Sequence, residues 1–176
     1  MNGNSHFIFG LSVGTMLALN IDKLHAVLPN IECSSQSVML LIEGGIVGSI
    51  FPDIDNPKSL MGKLSMPISR YIGKANKWLG KEHKEHRGIF HDAFVYVVGL
   101  ILSYIFFPPL IGFFIGCLSH IYLDLFNPIG IPSLIRYRNL HLGSIASNSK
   151  EGERFSKVSA LIVVIIGVLT RVNLLS

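Results

Sequence analysis

The chain has 176 residues, 49% of them hydrophobic and only 15% charged, with a formal net charge of +4. Ordinary soluble domains carry about 25% charged residues, so the composition excludes a disordered chain and favours a membrane protein. Two cysteines, Cys33 and Cys117, exclude a disulfide scaffold and a Cys-rich zinc module.

Five apolar stretches follow in chain order: residues 7–21, 38–51, 93–107, 110–123 and 158–170. Each is shorter than the ~20 residues of a straight membrane-crossing helix, although flanking residues can extend the first, second and fifth. A soluble all-helical protein is the rival reading. No basic n-region precedes the first stretch and His6 abuts it, so it is read as a retained span rather than a cleaved signal. The second contains one carboxylate, Glu43, well inside the span, for which a structural partner is the slightly preferred reading and a substrate headgroup the rival.

Between spans two and three lies a basic segment with Lys58, Lys63, Arg70, Lys74, Lys77, Lys81, Lys84 and Arg87. Within it Ile68, Tyr71, Ile72, Ala75, Trp78 and Leu79 recur at helical spacing, opposite most of the cations. That pattern predicts an amphipathic helix lying in the headgroup layer. Nucleic acid needs no such apolar face and is not expected as a partner.

Spans three and four are separated by Pro108-Pro109. A continuous helix from His91 to His120 would run ~45 Å, too long for a bilayer, so the prolines predict a tight helical hairpin. A second basic segment, with Arg136, Arg138, Lys150, Arg154 and Lys157, precedes span five. The two basic segments hold thirteen of the fifteen Lys and Arg residues and fall on one side of a five-span chain. The positive-inside rule makes that side cytoplasmic, with the N-terminus inside and the C-terminus outside. The expected architecture is an all-α, integral membrane bundle of about five short spans, forming one domain over residues 1–176.

Chemistry concentrates at the cytoplasmic span ends. His6 opens span one, and Pro52-Asp53-Ile54-Asp55 closes span two. His86-Arg87-Gly88-Ile89-Phe90-His91-Asp92 opens span three, and His120-Ile121-Tyr122-Leu123-Asp124 closes span four. A His and an Asp four apart share one helix face and can share one ion. Two carboxylates after a helix C-terminus oppose the dipole there, a mismatch that a cation repairs. Arg87 offers a planar fork suited to a phosphate or carboxylate. His83 and His25 are read as ordinary interfacial histidines.

His6, Asp53, His86, His91, His120 and Asp124 are therefore the expected metal ligands, with Asp55 as general base or bridging ligand and Arg87 as the substrate-positioning residue. Mixed His and Asp donors suit Zn²⁺ first and Mn²⁺ or Fe²⁺ next. Six candidates leave room for one or two ions. This layout is that of a phosphoester hydrolase, and its place at the interface favours a lipid or lipid-linked substrate. The alternatives are a non-enzymatic metal transporter or sensor, and an adaptor whose basic segment recruits a partner or anionic lipid.

The ordered set His6, Pro52-Asp53-Ile54-Asp55, His86-Arg87-Gly88-x-x-His91, Gly116-x-x-Ser119-His120-x-x-x-Asp124 and Asn127-Pro128-x-Gly130 resembles the YdjM-like family. Leu140-x-Leu142-Gly143, leading to Ser149 and Glu153, continues the likeness. The family is described as LexA-regulated, inner-membrane, metal-dependent hydrolases of bacteria and archaea, so the resemblance implies a hydrolase of the inner membrane. The family's Thr and Ser around the second histidine of the His-Arg-Gly motif are Phe90 and Asp92 here, which removes a hydroxyl and offers Asp92 as a group that orients His91. The order of His and Asp is also distantly similar to zinc-dependent phospholipase C and P1-type nucleases, which points to phosphoester chemistry.

Overall fold

The computed structural model describes residues 2–78, 89–132, 139–146 and 148–172. Eight helices occur among them: α1 (Gly3–Leu19), α2 (Ile21–Val27), α3 (Ser35–Ile50), α4 (Leu60–Leu64), α5 (Met66–Trp78), α6 (Ala93–Phe106), α7 (Ile111–Leu125) and α8 (Lys150–Val172). No strand occurs among the described residues, where pairing is limited to an isolated bridge between Ile131 and Leu140. The expected all-α membrane bundle is thus the fold.

Helix starts follow short polar side chains that cap free N–H groups. Asn2 accepts from Ser5 N at 2.8 Å in α1, Ser34 from Ser37 N at 3.1 Å in α3, and Asp92 from Phe94 N at 2.8 Å in α6. The expected hairpin is present: α6 stops at Phe106, and a 3-10 turn, Pro108–Leu110, feeds α7.

Ser35–Asp55, Pro108–Leu125 and Lys150–Val172 are long and apolar enough to cross a membrane, and α1 with α2 makes a fourth candidate bent by 73°. The fifth apolar segment, α6, has 14 residues, hence about 21 Å at 1.5 Å per residue, short of a ~30 Å hydrocarbon core. Outward faces are apolar: Ile101 and Ile105 on α6, and Leu161, Ile165 and Leu169 on α8, are all exposed.

Glycine faces let the spans approach closely, as in membrane helix pairs generally. A Cβ built on Gly45 would lie 2.7 Å from Gly10 O, and one on Gly116 would lie 2.6 Å from Gly45 O. These contacts draw α1 against α3 and α3 against α7. They also fix polarity. The N-terminal ends of α1, α6 and α8 gather with the C-terminal ends of α3 and α7. At the far end an apolar cluster of Ala18, Ile21, Ile31, Leu41 and Ile111 fills the interior.

Candidate metal centre

Five His and Asp side chains from four elements meet at the gathered end. His6 sits in the first turn of α1, placed by the Asn2 cap, and is buried. After α3, Pro52 stands early in a 3-10 turn, Phe51–Asp55, which its fixed φ suits. That turn sends Asp53 and Asp55 different ways: Asp53 keeps 25% of its side chain exposed, while Asp55 is buried. His91 closes a second 3-10 turn, Ile89–His91, which is held by the Tyr96 hydroxyl donating to Phe90 O at 2.6 Å. His120 and Asp124 lie one turn apart on α7 and are both buried.

His91 Nε2 is 3.5 Å from Asp53 Oδ1 and 3.9 Å from Asp124 Oδ2. His120 Nε2 is 3.8 Å from Asp53 Oδ1 and 3.7 Å from Asp124 Oδ2, and His6 Nε2 is 3.5 Å from Asp124 Oδ1. The His6 and His120 rings stack, with centroids 3.7 Å apart and planes 11° apart. These are not hydrogen-bond distances. They are close to the about 3.3 Å that separates ligand atoms around a tetrahedral ion with bonds of about 2.05 Å. Among the described residues, two overlapping groups could hold a metal ion: His6, His120 and Asp124, and Asp53, His91 and His120.

His120 decides how they can be used. Its Nδ1 lies 2.7 Å from Ser49 O. A carbonyl only accepts, so Nδ1 carries the proton and Nε2 presents a lone pair to the cluster. Ser49 lies in the last turn of α3, where carbonyls lack an intrahelical partner. The end of α3 therefore sets the tautomer of a ligand on α7. Nε2 of His120 is buried with no hydrogen-bond partner, as is Nδ1 of His6. Leaving a polar atom unpaired in a buried place costs about 1–3 kcal/mol. The mixed imidazole and carboxylate donors would suit a borderline divalent ion.

Asp55 lies behind His91, its Oδ2 3.6 Å from His91 Nδ1. Burial pulls the His91 imidazole down, but the Asp53 and Asp55 carboxylates more than reverse this and raise it to about 9. Asp92, which sequence offered as a group orienting His91, caps α6 through Oδ1, and Asp55 stands at the His91 ring.

His86 and Arg87, expected as ligand and substrate-positioning residue, lie outside the described residues, as does His83. His25 is at the far end, its Nδ1 2.7 Å from Ile31 O, consistent with an ordinary role. Glu43 faces outward from mid-α3, away from the cluster, so it belongs to neither site group. Glu153 pairs with Lys157 at 2.6 Å on the exposed start of α8. Two contributors were missed by the sequence reading: the Ser49 carbonyl and the glycine faces. Gly10-x-x-x-Gly14 and Gly112-x-x-x-Gly116 carry the known spacing of close helix pairs and could have revealed the second.

The sequence model described as YdjM inner membrane protein matches residues 1–172. The inner membrane protein YdjM of Escherichia coli (strain K12) is 31% identical over 106 residues, covering 53% of this chain and 48% of that protein. The same protein of Shigella flexneri matches with the same identity and coverage. The chain thus spans about half the length of the curated relatives it matches. No solved structure matches it, so the likeness to zinc-dependent phospholipase C and P1-type nucleases finds no support there.

Proposed function

The chain belongs to the YdjM inner membrane protein family, and from that premise we propose that it is an integral-membrane, metal-dependent hydrolase with its site at the cytoplasmic face. One observation carries the reading. Five His and Asp side chains, distant in sequence, converge with a buried, tautomer-locked imidazole nitrogen aimed among them and unpartnered. Such an arrangement is costly unless an ion repays it.

His6, Asp53, His91, His120 and Asp124 would hold the ion. Both candidate groups draw on His120, and with Nδ1 committed to Ser49 that residue has one ligand atom to give. A single centre is therefore favoured over two. Zn²⁺ suits the donors best, with Mn²⁺ or Fe²⁺ next. Such an ion activates water and polarises a phosphoryl or carbonyl oxygen.

Asp55 sits on the far side of His91, which suits holding that ring in place better than taking a proton from water. Asp53, the most open of the set, marks the side from which water and substrate reach the ligands. Arg87 belongs to the adjoining His-Arg-Gly motif and would hold an anionic group. Substrate is read as a phosphoester of a lipid or lipid-linked molecule, because the site lies where spans meet the headgroup layer.

A transporter or sensor is the competing reading. The apolar cluster that fills the far end argues against a polar path across the bundle. The test is elemental analysis of detergent-purified protein, wild type beside His120→Ala with Asp124→Ala. One ion per chain in the wild type, lost in the variant, supports the centre. Hydrolysis of phosphoester lipids, abolished by the same variant, then supports the activity. A folded wild type that neither contains nor takes up Zn²⁺, Mn²⁺ or Fe²⁺ would overturn the reading.

A further inference from the structure

The α4–α5 arm has three faces. Its inner face, with Gly62 and Ser69 buried, packs on the turn that carries Asp53 and Asp55. Contact is close: Ser59, the cap of α4, donates through its hydroxyl to Asp53 O at 2.7 Å, and a Cβ on Gly62 would overlap Asn56 O. A second face leaves Leu60, Leu64, Ile68 and Tyr71 exposed, Leu64 at 74% and Tyr71 at 73%. A third presents Lys63, Arg70 and Lys74 outward, with Lys74 Nζ 6.0 Å from the centre of the Tyr71 ring.

Among the described residues, no intramolecular partner covers the outer two faces. From residue 56 to 81 the chain contains no Asp or Glu. A soluble surface helix would place its apolar residues inward and mix charges of both signs outward. This arm exposes large apolar side chains beside cations that pair with no carboxylate among the described residues, at the bundle end where the spans terminate. The combination matches an interfacial helix, with apolar groups at the acyl boundary and cations among anionic headgroups.

We infer that the α4–α5 arm is an anchor for anionic phospholipid headgroups, seated directly on the turn that carries two of the site's carboxylates. Each cation near an anionic surface contributes about 1 kcal/mol of attraction, so the arm would gather anionic lipid beside the opening at Asp53. The inference rests on the membrane placement of the bundle and not on hydrolysis.

Trp78 ends α5 and is the chain's single tryptophan, so its emission reports on the arm alone. The full chain is reconstituted in nanodiscs of one fixed mixture of phosphatidylcholine and phosphatidylglycerol. Bromine is carried near the headgroup by one lipid or the other at equal mole fraction. Stronger quenching by the brominated phosphatidylglycerol is expected. Arg70→Gln with Lys74→Gln should bring the two lipids to equal quenching while metal content stays at the wild-type level. Equal quenching in the wild type, or quenching by neither lipid, overturns the inference. So does a preference that persists in the double variant. Because the readout needs neither metal nor turnover, a protein lacking metal but showing the lipid preference would sink the hydrolase reading alone.

Discussion

The two ends of the bundle use polar side chains in opposite ways. At the far end each works as a staple. Asn20 Nδ2 donates to Met16 O and Gly167 O at 2.9 Å, Lys23 reaches Thr170 O at 2.8 Å, and Arg171 pairs with Asp22. At the site end histidine and aspartate side chains crowd together at distances too long for hydrogen bonds, and buried imidazole nitrogens on His6, His91 and His120 lack hydrogen-bond partners. The first arrangement stabilises helix packing in the free chain. The second repays its burial only when something positive sits among the donors. Polarity alone therefore does not mark a site in a membrane bundle; among the described residues the far end leaves Asn20 Oδ1 unpartnered, whereas the site end gathers unpartnered nitrogens of three histidines against carboxylates.

Several changes would break or sharpen this contrast. The largest effect is expected from Asp124→Asn, which removes the carboxylate facing all three histidines; metal content should fall to background while the protein still folds. Next is Gly116→Val, which forces side-chain atoms onto the backbone of α3. Overpacking of this kind costs about 1–3 kcal/mol, read as a lower unfolding temperature together with lost metal, because α7 and the turn that follows α3 carry candidate ligands on both sides of the seam.

Asp55→Asn should weaken metal affinity about 10–100-fold, as loss of groups behind a ligating histidine generally does, with full occupancy recovered at high metal. Affinity should also fall as pH drops below about 9, since the raised His91 holds a proton that the ion must displace. The sign is opposite for the metal-free chain. There the stabilisation from protonated His91 is complete below about 6.5 and is lost as pH rises through about 9. Denaturant titrations with and without chelator across that range would show the two trends crossing. The smallest effect is expected at the far end. Asn20→Ala removes two side-chain hydrogen bonds and should cost about 1–2 kcal/mol, with no change in metal content; a loss of metal would show that the two ends are not independent.

Much of this was legible in the sequence. The spans are apolar runs with a single carboxylate, Glu43, among them, and Pro108-Pro109 can hardly do other than turn the chain. The cluster was legible because His and Asp at the ends of apolar helices are expensive there, and because the spacing of the Lys- and Arg-rich segments along the sequence predicts which span ends share a side. The placement of Asp55 at the His91 ring and of Asp92 at the start of α6 was not legible. Both are two or fewer residues from a ligand, and their places depend on the 3-10 turn after α3 and on α6 needing a cap. Nor could sequence reveal Ser49, whose contribution is a carbonyl that any residue would supply. Its importance comes from the register in which α3 meets α7, which the glycine faces set.

The ligand order along the chain has a consequence for how the protein is made. His6 and Asp53 arrive on the α1–α3 pair, which closes on its own glycine contacts. His91, His120 and Asp124 arrive later, on the α6–α7 hairpin. Neither half holds a complete donor set, so an ion cannot be captured during the early stages of membrane insertion. In the proposed centre, metal loading would thereby follow the docking of the second hairpin against the first, because both donor groups draw side chains from each half.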